Sequence, residues 1–108
     1  DVSPFGAEQD KPPDLLLHRT YAEALLALGR KEEALRERRV QVALLGTLKE
    51  EARVPSGEPD DRLALGRLLL ELSRPEEALE QASAILRLVP EHVGGRVLQQ
   101  EAADAVGR

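Results

Sequence analysis

Few residues of this chain are of types that could do chemistry, and their spacing does not favour a catalytic or metal site. His18 and His92 are the only histidines, and there is no cysteine. Neither histidine has a second one at metal-ligand spacing, and "GGR" at 94–96 lacks the lysine and hydroxyl residue of a phosphate loop. We therefore expect no enzymatic activity, no metal, no cofactor and no small-molecule substrate. Surface or helix-capping roles are expected for both histidines.

The charged clusters have structural explanations. The pairs Glu32–Glu33 and Glu76–Glu77 fall in the first turns of predicted helices, where carboxylates interact favourably with the helix dipole. A general acid/base pair would need two environments that separate the two pKa values. We interpret "RERR" at 36–39 as a solvated helix face neutralised by glutamates one turn away. A basic patch, or a processing site before Val40, is the alternative.

Composition excludes several classes of partner. The formal net charge of −5 and the aromatic content of 2% argue against nucleic-acid binding, which needs positive charge and stacking rings. The apolar runs are shorter than the ~20 residues of a membrane span, so we expect no membrane insertion. The absence of cysteine excludes disulfides and leaves the compartment open. Because the chain begins at Asp1 and lacks methionine, we expect a processed product or a piece of a longer protein.

Apolar periodicity predicts an all-α fold of about five helices. Residues 1–13 hold three prolines and are predicted to be an extended lead-in, with docking of Phe5 left open. Helix one is predicted from Asp14 to Gly29, burying Leu17, Tyr21, Ala24, Leu25 and Leu28.

The remaining helices follow from similar patterns, and no segment favours a strand. Helix two is predicted from Lys31 to about Arg53, and "RVPSGEPDD" at 53–61 is the clearest break. Helices three, four and five are predicted to begin at Pro59, Pro75 and about Val93. The expected apolar stripe of helix two is Ala34, Leu35, Val42, Leu45 and Leu48, and that of helix three is Leu65, Leu68, Leu69 and Leu72. The stripe of helix four is Ala78, Ala82, Ile85, Leu86 and Val89, and that of helix five is Val97, Leu98, Ala102, Ala105 and Val106.

The chain repeats itself. Residues 18–46 align with 62–90 at an offset of 44, matching "GRKEEAL" with "SRPEEAL". A third, partial copy pairs "EALLALGR" (23–30) with "EAADAVGR" (101–108). Such self-similarity predicts two helical hairpins and one further first helix, stacked to bury a common core.

The second unit, 63–90, resembles a tetratricopeptide repeat. It has Leu65–Gly66, the small Ala78 after two glutamates, and a closing Pro90. The resemblance implies antiparallel hairpins in a short right-handed α-solenoid, in which Gly66 and Ala78 let paired helices approach closely. It divides the domain, 14–108, into a hairpin 14–53, a linker 54–58, a hairpin 59–90 and a terminal helix 92–107. A plain helical bundle is the alternative.

The first unit departs from the family pattern. Arg38 and Gln41 stand where the family usually buries apolar or small residues, and Gly46 replaces the closing proline. The repeat is also longer than the family period of about 34 residues. We expect the extra residues, within 46–55, to extend helix two by one or two turns.

The resemblance also implies a concave groove, lined by the first helix of each pair, that binds a peptide or a partner helix. The groove positions would be Arg19, Thr20, Glu23, Leu26, Ala27, Leu63, Ala64, Arg67, Leu70, Glu71, Val97, Leu98 and Glu101. Leu26 and Leu70 either lie partly exposed there or complete the core. The chain has no asparagine, and Glu23 would repel an acidic tail, which disfavours the family members that clamp C-terminal carboxylates.

Three functions are compatible with this pattern. The first is a protein-interaction module that binds a protein or peptide partner, as a scaffold or adaptor region. The second is a self-association module, in which the open face of helix five packs on another copy. The third is a regulatory appendage of an enzyme whose catalytic domain lies outside this chain.

Overall fold

The computed structural model describes residues 14–107 as six α-helices, without a β-strand in that range. The lead-in 1–13 and Phe5 lie outside the described residues. The prediction of an all-α fold is confirmed. The helices are α1 (Asp14–Ala27), α2 (Lys31–Leu45), α3 (Glu50–Arg53), α4 (Glu58–Glu71), α5 (Pro75–Leu88) and α6 (Val93–Val106).

The two hairpin turns are built identically, which shows the repeat in the backbone. Gly29 and Ser73, 44 residues apart, both have positive φ, at 77° and 62°. After α1, Arg30 N–H donates to Leu25 O at 2.9 Å; after α4, Arg74 N–H donates to Leu69 O at 2.8 Å. This is the Schellman arrangement, which satisfies carbonyls at a helix end and reverses the chain.

The helices form antiparallel hairpins packed side by side. α1 packs on α2 and α4 on α5, and α6 adds to the second hairpin through both α5 and α4. The hairpins meet where α2 packs on α4. The Cα extents are 57 × 33 × 17 Å, and the shortest dimension fits two layers of helices.

One continuous apolar core crosses both hairpins and reaches α6. Its buried members include Leu25, Leu35, Leu69, Ile85 and Leu98. Gly66 is buried at its centre, where an added methyl group would overlap the Cδ2 of Leu98. The absence of a side chain at Gly66 therefore allows α6 to approach α4 closely. The expectation that this glycine allows a close approach of α5 is corrected.

The predicted stripe of α1 is largely wrong. Leu17, Tyr21 and Leu28 are 66%, 56% and 69% exposed, and Ala24 is exposed as well. The buried residues of α1 are Leu15, Ala22 and Leu25. Both sides of this helix are apolar, and periodicity alone does not say which side meets α2.

Helix two is shorter than predicted. α2 ends at Leu45, where Gly46 N–H closes its last turn on Val42 O at 3.0 Å. The following residues form a turn and the short α3 instead of extending α2. The segment predicted as a linker, 54–58, is partly buried: Ser56 and Glu58 are 4% and 0% exposed. Glu58 already belongs to α4.

Candidate functional site

Seven residues of the predicted groove are exposed, namely Thr20, Glu23, Ala27, Arg67, Glu71, Val97 and Glu101. Glu23 lies on α1, Arg67 and Glu71 lie one turn apart on α4, and Val97 on α6 is 47% exposed. Since α4 and α6 pack on each other, their exposed residues lie on neighbouring helices. Glu71 approaches Lys31 of α2, with 3.5 Å between Oε1 and Nζ. A surface of both charge signs beside an apolar side chain suits an amphipathic peptide.

The leucines of the predicted groove belong mainly to the core. Leu26, Leu63 and Leu70 are half-buried and pack against the core cluster. Leu98 is 1% exposed and is not available to a partner. The exposed residues among the predicted groove positions are therefore mostly polar, and leucine substitutions at these positions would test stability rather than binding.

Arg19 has a structural partner and does not face a groove. Its guanidinium donates to Asp61 Oδ2 from both Nε, at 2.9 Å, and Nη2, at 2.6 Å, and to the carbonyl of Ser56 at 2.7 Å. Gly57, with φ of 94°, lies directly against Nη2. Asp61 is only 6% exposed. This contact ties α1 to the start of α4, and sequence reasoning missed it because its partners are 42 residues apart.

A second buried ion pair closes the junction between α3 and α4. Glu58 is fully buried, and its carboxylate accepts hydrogen bonds from Arg53 Nε at 2.6 Å and Arg62 Nε at 2.8 Å. Burial raises the pKa of Glu58, but the two arginines outweigh it and hold the pKa below its ordinary value. The same pairing raises the pKa of Arg53. Arg62 also donates to Gln81 of α5 at 2.8 Å.

The buried face of α2 contains two polar residues. Arg38 is 8% exposed and Gln41 is fully buried, so the interpretation of "RERR" as a solvated face is wrong for Arg38. Arg38 Nη1 donates to Gln41 Oε1 at 3.2 Å. Within residues 14–107, Arg38 Nε and Gln41 Nε2 have no hydrogen-bond partner. The repeat register was the available signal, because residues 44 positions later, Ala82 and Ile85, are fully buried.

The outward side of α1 exposes several apolar side chains. We call its stripe the outer face of α1, formed by Leu17, Tyr21, Ala24 and Leu28. Leu16, Thr20 and Ala27 beside it are exposed too, and Leu16 is 71% exposed. These side chains lie on the part of α1 that does not face the core, where polar residues are the usual choice.

The outward side of α6 is different. Val93, Val97 and Val106 are exposed on α6, and Arg96, Gln99, Gln100 and Asp104 are exposed among them. The exposed apolar residues of this terminal helix are therefore interrupted by charged and amide side chains.

Both histidines have local structural roles. His92 caps α6, where its Nδ1 accepts from Gly95 N–H at 2.8 Å. His18 Nδ1 lies 2.6 Å from Glu37 Oε1 and links α1 to α2. A shallow cleft of about 390 Å³ lies between α3 and the end of α5, lined by Glu50, Glu51, Val54, Arg87 and Leu88. It holds neither a histidine nor a nucleophilic side chain.

Residues 14–107 contain no group of three or more histidine, cysteine, aspartate or glutamate side chains placed to hold a metal ion. None of the helices in this range has the length and apolar character needed to cross a membrane. Comparisons with models of protein families, with curated proteins and with solved structures find no match to the chain.

Proposed function

We propose that this chain is a protein-interaction module that binds a peptide or a helix of another protein. The observation that carries the proposal is the outer face of α1, where Leu17, Tyr21 and Leu28 are each more than half exposed. Keeping such side chains in water costs free energy that a partner would recover, at about 25 cal/mol per Å² of apolar surface covered.

A second proposed binding surface is the groove predicted from the tetratricopeptide resemblance. Most of its exposed residues are polar. Glu23, Arg67, Glu71 and Val97 would contact a ligand there. Charged rim residues of this kind contribute more to partner choice and association rate than to affinity.

Selection from a library of displayed helical peptides tests the function and separates the two surfaces. Enriched peptides are expected. Their binding should be lost with Leu17→Glu plus Leu28→Glu if they use the outer face of α1, and with Arg67→Glu plus Val97→Asp if they use the groove. Glu80→Lys, on the exposed side of α5, is the control that should change neither.

All of these positions are exposed, so the variants should keep the helical circular-dichroism spectrum and unfolding midpoint of the parent chain. The proposal would be contradicted if no peptide is enriched, or if the enriched peptides bind both double variants as well as they bind the parent chain.

A further inference from the structure

The outer face of α1 corresponds to a face that the second hairpin uses for packing. Its residues align, 44 positions later, with Asp61, Leu65, Leu68 and Leu72 of α4. The first three of these are at most 6% exposed, and Leu72 is half-buried against the core. α4 packs on α2 of the preceding hairpin. In the second hairpin this face is therefore buried or half-buried, whereas on α1 it is exposed.

The spacing of this face is the same in both chain directions. Successive residues are separated by four, three and four positions, so two antiparallel copies present matching rows. Leu17 of one copy then meets Leu28 of the other, and the bulky Tyr21 meets the small Ala24. Such seams, with apolar residues at alternating spacings of three and four, pack side chains into the holes of the facing helix.

Charge and size also favour this arrangement. Thr20 and Ala27, which border the seam, are small and uncharged, so two helices can approach without bringing like charges together. A two-fold arrangement requires such a self-complementary surface.

We propose that the outer face of α1 binds the same face of a second copy, as an antiparallel, two-fold helix pair. This inference rests on the proposed interaction function and names its partner. Within residues 14–107, the buried sides of α2 and α5 are already packed on α4 and α6, and the exposed valines of α6 are separated by charged and amide side chains. The matching apolar surface that a second copy can offer is α1 itself.

Sedimentation equilibrium over a wide concentration range tests the mass. The parent chain is expected to move from 11.9 kDa to twice that mass as concentration rises. Tyr21 is the single tyrosine, and the chain has no tryptophan. Tyrosine emission should therefore change with the same concentration midpoint, because the ring becomes buried in the pair.

Charge variants test the geometry. Leu17→Glu plus Leu28→Glu places carboxylates opposite each other and should weaken dimerisation at least tenfold. Leu17→Lys plus Leu28→Lys should do the same, and an equimolar mixture of the two variants should restore a dimer. Leu17→Glu plus Leu28→Lys should dimerise alone, since antiparallel pairing puts opposite charges together, whereas a parallel pair would put like charges together.

Gln99→Glu plus Ala103→Glu, on the exposed side of α6, is the matched control and should leave the dimer unchanged. A parent chain that stays monomeric at every concentration would overturn the inference, as would a dimer that is indifferent to the α1 variants. If the chain is monomeric while selected peptides compete for α1, the partner is a foreign helix. The proposed function then stands and the inference fails.

Discussion

The junction of α2 with α4 and the junction of α5 with α6 join equivalent helices of the repeat, yet they bury different side chains. On α2, Arg38 and Gln41 occupy the positions that Ala82 and Ile85 occupy on α5, and all four are at most 8% exposed. On the α6 side, an added methyl group at Gly95 would lie 2.7 Å from Ile85 Cγ2. The same backbone plan therefore buries polar groups at one junction and close apolar packing at the other.

The difference separates the effect of the repeat register from the effect of residue type. At these two junctions the repeat register determines which positions are buried, while residue type determines whether the buried groups are polar or apolar. Close apolar packing has no ionisable group, so its strength should not depend on pH. At the start of α4, by contrast, Glu58 is buried beside Arg53 and Arg62, and this contact should weaken when Glu58 is protonated.

The largest effect is expected at the apolar junction. Leu98→Ala removes a side chain that is 1% exposed and should lower the free energy of unfolding by about 2 to 5 kcal/mol. Gly66→Ala should destabilise the parent chain, because the new methyl group would overlap Leu98. In the Leu98→Ala background it should be tolerated, since it enters the vacated space. Urea unfolding of the four proteins measures this coupling, and strictly additive free energies would disprove the contact.

The next effect is expected at the start of α4. Glu58→Gln removes the charge that two arginines share, and leaves them partly buried without a counter-ion. Because Arg53 and Arg62 are 28% and 17% exposed and can reach water, the cost should be about 2 to 3 kcal/mol. Thermal unfolding at neutral pH measures it. Glu77→Gln is the matched control: its pair with Arg39 also spans 2.6 Å but is exposed, so it should cost less than about 1 kcal/mol.

The pH dependence of the same residue has a definite sign. The pKa of Glu58 is lowered in the folded state from its ordinary value of about 4.5. Its contribution to stability is therefore present above that value and is lost as the pH falls through the folded pKa. The difference in unfolding free energy between parent chain and Glu58→Gln should shrink on acidification. A difference that stays constant down to pH 3 would contradict the assignment.

Much of the second hairpin could be predicted from the sequence, because α5 has one apolar side. Ala78, Ala82 and Ile85 were predicted to be buried, and all three are fully buried. α1 could not be predicted in the same way, because Leu15 and Leu17 begin two apolar stripes and only the packed structure chooses between them. Glu58 was missed because a segment rich in proline and glycine resembles a solvent-exposed loop.

The smallest predicted effect would make the polar junction resemble the apolar one. Arg38→Met with Gln41→Leu keeps approximately the same volume and removes two buried polar groups that only partly satisfy each other. Replacing such a pair by apolar residues should raise the unfolding free energy by about 1 to 2 kcal/mol. Gln41→Leu alone should lower it, because Arg38 then loses the only acceptor seen for it within residues 14–107. Urea unfolding measures the free-energy change of each variant. Opposite signs for the single and the double variant would show that the fold tolerates this buried polar pair but does not need it. A double variant less stable than the parent chain would show that Arg38 and Gln41 stabilise the first junction.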